Sequence, residues 1–213
     1  MLPQVSTVFR KRAERAMVAL TRNNMKTHLV DSREEVIPLL KKFIPVGSSV
    51  SYGGSQTLEQ CAVIPFLRQS NYQVLDRNAP GLTPEEVKEV QRQAFLADFY
   101  LCSANAITED GYLYAVDGNG NRVAAMVYGP EKVFVIAGYN KIVADKDAAQ
   151  ERVRRLAAPA NMQRLGLDTP CKTTGICVDC NSPERICCSF LFLGPQRVRD
   201  RIQVILVGES LGY

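Results

Sequence analysis

Strand-length apolar runs alternate with helical patterns over the first hundred residues, and this alternation constrains the fold more than any other feature. The apolar runs lie at 27–30, 48–52, 72–75 and 99–102. Amphipathic helical spacing occupies the segments around them, at 5–23, 32–43, 58–67 and from Thr83 onward. Repeated strand–helix units form mostly parallel sheets covered by helices on both faces. We therefore predict an α/β fold with three layers, α/β/α.

Two of the helices begin with the pattern of a capping box. Thr83-Pro84-Glu85-Glu86 combines a cap, a proline at the first helical position and a glutamate three residues after the cap. Ser32-Arg33-Glu34-Glu35 likewise has a hydroxyl residue at the cap and a glutamate three residues later. A later helix is expected over 145–165, kinked or ended by Pro159.

The pattern changes after residue 102. Short β-type runs lie at 106–108, 111–116, 123–128 and 133–137. The segment 117–121, Asp-Gly-Asn-Gly-Asn, has the residues of a hairpin turn. We expect an antiparallel hairpin excursion here, and a last buried strand at 202–207. The whole chain, 1–213, is expected to form one domain with a cysteine-rich segment at 170–188.

Charge and hydropathy narrow the classes of partner and compartment. The net charge is only +4, and basic residues are interleaved with acidic ones. This distribution does not favour nucleic acid, which requires a concentrated basic face. No segment has the ~18 uninterrupted apolar residues of a membrane span, and charged residues interrupt the N-terminal segment where a signal peptide would be apolar. We expect a cytoplasmic protein.

A glycine loop follows the run at 48–52 directly. Glycine at 53 and 54 lets backbone amides approach a ligand, and Ser55 and Thr57 add hydroxyl groups. Because open α/β sheets bind ligands at the carboxyl ends of their strands, these four residues are predicted to bind a small anion. A plain tight turn is the alternative interpretation, in which Thr57 caps the next helix.

Five of the seven cysteines lie in the segment 170–188. Cys171, Cys177, Cys180 and Cys187 offer four thiolates within one loop, including a C-x-x-C pair. An iron–sulfur cluster is our first choice for this loop, because such clusters use thiolates with varied spacing, and zinc is the second. A redox thiol pair or free thiols are the alternatives. The adjacent Cys188 is expected on the opposite face, which leaves Cys187 as the fourth ligand.

Few groups are candidates for acid–base or nucleophilic chemistry. The chain has a single histidine, His28, so a histidine-based triad is not expected. Glu109 lies in an acidic loop between β-type runs, where catalytic groups often occur. Lys141 follows the run at 133–137 and could contact a bound anion. An ordinary acidic turn and a solvated lysine are the respective alternatives.

The ordered motifs of the chain resemble those of the lactate-utilisation (LUD) domain family. They are Tyr52-Gly53-Gly54-Ser55-Gln56-Thr57-Leu58, the runs 104–111, 129–133 and 138–143, and the cysteine segment from Pro170 to Cys187. The resemblance implies the fold of the sugar-phosphate isomerase and CoA-transferase superfamily. It also implies a role in L-lactate oxidation to pyruvate beside iron–sulfur partner subunits. A homo-oligomer is a further expectation.

Two other functions stay open on the sequence alone. One is a CoA-transferase-like or sugar-phosphate-isomerase-like enzyme. In it, Glu109 would be the nearest counterpart of the glutamate that carries the acyl group in CoA transferases, and Lys141 would assist. The other is a non-catalytic subunit with a structural zinc loop.

Overall fold

The computed structural model describes residues 3–213, which form ten strands and nine α-helices. The strands are β1 (Lys26–Val30), β2 (Ser49–Tyr52), β3 (Gln73–Leu75), β4 (Phe99–Cys102), β5 (Ala106–Thr108), β6 (Leu113–Asp117), β7 (Lys132–Gly138), β8 (Ile142–Val143), β9 (Ser189–Leu193) and β10 (Ile202–Val207). The helices are α1 (Pro3–Arg22), α2 (Val36–Phe43), α3 (Gln56–Gln60), α4 (Val63–Gln69), α5 (Pro84–Gln93), α6 (Asn121–Val127), α7 (Lys146–Arg152), α8 (Ala158–Leu165) and α9 (Pro170–Thr174). No helix within residues 3–213 combines the length and apolarity that crossing a bilayer would require.

A sheet of six strands forms the middle layer, in the order β1-β10-β7-β4-β2-β3, and all its pairs are parallel. β10 lies between β1 and β7, and all six of its residues are buried. A strand buried on both faces must be apolar throughout, which is why its sequence reads as a continuous run of Ile, Val and Leu with one glutamine.

Helices cover both faces of this sheet. On one face, Ala16 and Leu20 of α1 pack into a core with Val135 and Val204 of the sheet. On the other face, the core joins α2, α3 and α4 to the neighbouring, oppositely directed side chains of the same strands, including Phe134. Because successive strand residues point to opposite faces, one sheet supplies both cores. The predicted three-layer α/β/α fold is confirmed.

A second, smaller sheet has the order β8-β5-β6-β9. β6 pairs antiparallel with both β5 and β9, so the predicted antiparallel excursion is present. The prediction of a strand at 123–128 was wrong, because this segment forms α6. The carboxylate of Asp117 accepts hydrogen bonds from the backbone N–H groups of Arg122 and Val123. Gly120 has a φ of +80°, which turns the chain into the helix instead of a hairpin.

Helix boundaries show which local signals decide the structure. The capping box at Thr83 and Glu86 is formed as predicted. The predicted box at Ser32 is not, since its side chain makes no cap hydrogen bond and a 3-10 turn, Arg33–Glu35, precedes α2. Before Pro159 the helix is interrupted by a π-helical segment, Val153–Ala157, and Pro159 itself lies in the first turn of α8. The kink predicted at Pro159 therefore takes the form of a wider turn just before it.

Candidate functional site

Side chains that follow three parallel strands meet in one cavity at the carboxyl edge of the large sheet. Gly54 and Ser55 follow β2, Ser103 follows β4, and Lys141 follows β7. The cavity has a volume of about 160 Å³. Its position is the one that open α/β sheets use for ligands.

Lys141 lies at the wall of this cavity with only 4% of its surface exposed. Its Nζ donates hydrogen bonds to Thr57 Oγ1 at 2.9 Å and to Ser103 Oγ at 3.0 Å. Burial lowers the pKa of Lys141 to about 7, and the positive charges of Arg152 and Arg122 act in the same direction. A substantial fraction of this amine is therefore neutral near neutral pH.

Three arginines, Arg77, Arg122 and Arg164, also line the cavity, and Asp117 is the acidic residue among its lining residues. Within residues 3–213, none of the three arginines forms an ion pair. Arg122 donates instead to neutral oxygens, including the Ser103 carbonyl at 2.7 Å. The buried Nε of Arg77 has no hydrogen-bond partner within the described part of the chain. The cavity thus carries positive charge that no protein carboxylate neutralises through an ion pair.

The structure divides the four predicted anion-binding residues into three groups. Gly54 and Ser55 line the cavity, although Ser55 Oγ accepts a hydrogen bond from Leu58 N and so acts as the cap of α3. Thr57 is fully buried, and its Oγ1 accepts a hydrogen bond from Lys141 Nζ. Gly53 is not among the residues that line the cavity. The alternative in which Thr57 caps the helix is wrong, and α3, at five residues, is too short for its dipole to dominate the site.

Both glycines of the loop lie in close contact with arginine side chains. A Cβ at Gly54 would collide with the guanidinium of Arg77. A Cβ at Gly53 would lie 3.1 Å from Arg122 Cδ and 3.0 Å from the Tyr100 hydroxyl oxygen. The glycines therefore let two cationic side chains approach the loop, which is a different role from the exposed backbone amides that the sequence suggested.

Glu109 does not line this cavity. Its carboxylate pairs with two arginines of α1, at 2.6 Å from Arg12 Nε and 2.6 Å from Arg15 Nη2. Burial alone would raise the pKa of Glu109, but the hydrogen bonds from Arg12 and Arg15 outweigh it and hold that pKa below its usual value. The structure therefore does not bring the two predicted catalytic candidates, Glu109 and Lys141, to one site.

The four predicted metal ligands line a second, mainly apolar cavity of about 430 Å³. They are Cys171, Cys177, Cys180 and Cys187, and aromatic side chains such as Tyr114 and Phe192 complete the wall. Cys188 is exposed and does not line it. Within residues 3–213, no group of three or more His, Cys, Asp or Glu side chains is arranged to hold a metal ion. The metal centre therefore stays a prediction.

Arg185 stabilises the cysteine loop by contacts with three of its residues. Arg185 donates to the carbonyl oxygens of Cys180 at 2.6 Å and Cys187 at 2.9 Å, and it pairs with Asp179 at 2.8 Å. The backbone N–H of Cys177 donates to the Arg154 carbonyl at 2.8 Å, which anchors the loop to the π-helical segment. Burial, followed by the neighbouring thiols, raises the pKa of Cys187 to about 11.

The two cavities share part of their walls. Cys187 and Ile186 line both, and so do Val153, Ala158 and Met162. The cysteine loop therefore lies directly beside the cavity that contains Lys141. Sequence reasoning found both features but gave no sign that they were neighbours.

Sequence reasoning missed Ser103 and the three arginines of the first cavity, Arg77, Arg122 and Arg164. Ser103 follows β4 directly, as Gly53 follows β2, so its position at the carboxyl edge was a usable signal. Arg77 follows β3 and Arg122 follows the turn segment 117–121, but no sequence motif marks either arginine as a ligand-binding residue. Their convergence depends on the three-dimensional fold.

Comparison with known proteins places the chain in a family. A family model of the LUD domain matches residues 13–207, most of the chain. The chain belongs to the LUD domain family. A DUF162 family protein from Deinococcus radiodurans has a similar structure, with 14% sequence identity, coverage of 95% of this chain and 98% of that chain, and a TM-score of 0.52. At that identity the likeness supports the LUD fold alone. No protein among those with curated descriptions matches the chain.

Proposed function

We propose that this LUD domain protein takes part in L-lactate oxidation to pyruvate and binds the small carboxylate in the cavity beside Lys141. The observation that carries the proposal is the set of three arginines without ion pairs around a small cavity at the carboxyl ends of the strands. An anion would supply the missing negative charge. The lactate role itself comes from the family.

The size of the cavity favours a small ligand. Pockets for drug-sized molecules have volumes of about 300–1,000 Å³, whereas this cavity has about 160 Å³. This volume favours a ligand smaller than a nucleotide or a CoA group. A three-carbon carboxylate or inorganic phosphate would fit, and the forked guanidinium of an arginine suits either anion.

Calorimetric titration tests the anion site. We expect L-lactate or pyruvate to bind and to compete with phosphate. Arg164→Gln, which removes a charge from the cavity wall, should weaken binding by about tenfold, as expected for the loss of one charge-assisted hydrogen bond. Arg155→Gln is the matched control, because Arg155 belongs to the same helical stretch, pairs with Glu151 and lines neither cavity. Equal binding by the two variants, or no binding by the wild type, would refute the site.

We also propose that Cys171, Cys177, Cys180 and Cys187 hold an iron–sulfur cluster. A tetrahedral zinc site draws its four sulfurs to about 2.3 Å from a single point, and no group of that kind is present among residues 3–213. A cluster distributes its thiolate ligands over several iron atoms, so it suits four thiols around a wide cavity better. When bound, such a cluster supplies one-electron transfer.

Matched cysteine variants test the cluster. Protein purified without oxygen should absorb visible light and contain iron. Cys180→Ser should lose both signals, whereas Cys188→Ser should keep them, because Cys188 lies outside the cavity. Colourless wild-type protein that contains zinc would support the structural-zinc alternative instead.

The CoA-transferase alternative receives no support from the position of Glu109. Its carboxylate lies outside the cavity and forms ion pairs with two arginines.

The iron–sulfur partner subunits, the homo-oligomer and the cytoplasmic location are proposals that rest on the sequence and the family. A single cluster beside a substrate cavity would pass electrons to such partners. Co-purification of the chain with an iron–sulfur protein would test this step.

A further inference from the structure

The position of the Lys141 amine suits covalent chemistry. Lys141 lines the cavity and its Nζ lies between two hydroxyl groups, while three arginines supply the positive charge for a carboxylate. An ammonium group at this point would add a fourth cation to a cavity with one acidic side chain. A neutral amine would instead leave a nucleophilic lone pair directed at a bound ligand.

The two hydroxyl groups have different roles around this nitrogen. Thr57 Oγ1 donates to the Leu211 carbonyl at 3.3 Å, so it is left to accept a hydrogen bond from the amine. Ser103 Oγ accepts from Lys141 Nζ at 3.0 Å and donates to the Ala104 carbonyl at 3.3 Å, and as a hydroxyl group it can exchange donor and acceptor roles. Thr57 is fully buried and orients the amine, whereas Ser103 also lines the cavity and is placed to move a proton to or from a group that reacts with the amine.

The surroundings of Lys141 also keep the amine available. Burial and the charges of Arg152 and Arg122 lower its pKa to about 7, while Cys61 and Cys102 act weakly in the other direction. At a pH of about 8, such an amine is mostly neutral, whereas an ordinary lysine with a pKa of about 10.4 is neutral in well under one molecule in a hundred. Neutral amine is the reactive form toward carbonyl groups.

We propose that Lys141 forms an imine with the carbonyl carbon of a small 2-oxo acid bound in this cavity. The step rests on the proposed function, whose product, pyruvate, is such an acid. The amine nitrogen bonds to the carbonyl carbon and gives a carbinolamine, with a proton moved from nitrogen to the former carbonyl oxygen through Ser103 or water. Loss of that hydroxyl with a second amine proton as water gives the C=N bond. No oxidant or reductant is consumed.

The imine gives the site a way to distinguish the two acids of the proposed reaction. L-lactate has a hydroxyl group at its second carbon and cannot form an imine. Both acids offer the same carboxylate to the arginines that line the cavity. Only the 2-oxo acid is held covalently, so the site would retain product and substrate by different means.

Reductive trapping tests this inference on the full chain. Protein is incubated with pyruvate and cyanoborohydride, and the adduct is located by intact mass and peptide mapping. We expect one adduct per chain on Lys141, with labelling at least about tenfold above that of any exposed lysine, because the neutral fractions differ by more than that. L-lactate should give no adduct, and acetone, which lacks a carboxylate, should label poorly.

The controls separate this inference from the proposed function. Lys141→Arg has a side chain of similar length but no nucleophilic amine and should lose the adduct, whereas Lys88→Met, at an exposed position, should keep it. Peptide mapping of the wild type shows whether Lys141 carries the adduct, even if the Lys141 variant fails to fold. Pyruvate that binds by calorimetry without labelling Lys141, or that labels surface lysines equally, would overturn the imine alone. Pyruvate that does not bind at all would overturn both proposals.

Discussion

Replacing Lys141 by methionine should flatten the pH dependence of folding stability between pH 7 and about 10. In the folded protein, burial lowers the pKa of Lys141 from 10.5 to about 7. Between these two values the unfolded chain binds one more proton than the folded chain. The free energy of unfolding should therefore rise with pH in the wild type.

The size of the effect follows from the difference between the two pKa values. The fall from 10.5 to about 7 corresponds to about 5 kcal/mol of unfavourable free energy for the charged form. This penalty is fully present below pH 7 and is relieved as the pH rises towards 10.5, at about 1.4 kcal/mol per pH unit. Methionine has a similar length and no charge, so the variant should lack this slope.

Urea unfolding of both proteins at several pH values from about 7 to about 9 measures the difference. Buried thiols such as Cys61, with a pKa of about 11, also titrate differently in the two states, but they are present in both proteins. The exposed Lys88→Met variant should follow the wild type. Parallel stability curves for the wild type and Lys141→Met would refute the claim that this amine is held neutral by burial.

Three further substitutions probe other parts of the structure. Glu109→Gln should lower the free energy of unfolding by about 1–3 kcal/mol, since it breaks the pairs with two α1 arginines; pyruvate binding should not change, and a loss of binding would contradict the assignment. Gly111→Ala should lower the melting temperature, because Gly111 has a φ of +94° and a Cβ would lie 2.8 Å from the backbone of α1; an unchanged melting temperature would argue against this packing. Arg185→Leu should reduce the iron content of purified protein, since it releases the carbonyls of Cys180 and Cys187, and unchanged iron would count against Arg185 as the residue that holds the loop.

Elements decided by local pattern could be predicted from the sequence. The strand at β10 and the helix that begins after Thr83 were both predicted, because an apolar run and a capping box act within a few residues. The helix α6 was not, because its cap comes from Asp117, which is separated from the helix by a glycine turn. The β-branched residues of that segment predicted a strand, but the hydrogen bonds from Asp117 stabilise the start of a helix there.

The site could be predicted only in part. Lys141 was placed near an anion from its position after a strand, and the four cysteines were grouped from their spacing. The partners of Lys141 depend on the parallel arrangement of β2, β4 and β7, which brings Thr57 and Ser103 from distant segments to one point. The pairing of Glu109 with two arginines of α1 could not be predicted, because an acidic loop in the sequence does not show which basic residues will lie beside it.

A crystal structure of the protein soaked with pyruvate would show directly where the ligand lies relative to Lys141. We expect density for the ligand in the cavity at the carboxyl edge of the sheet, with its carboxylate on the arginines and its second carbon within bonding distance of Lys141 Nζ. Pyruvate bound at another place, with this cavity holding only solvent, would contradict this expectation.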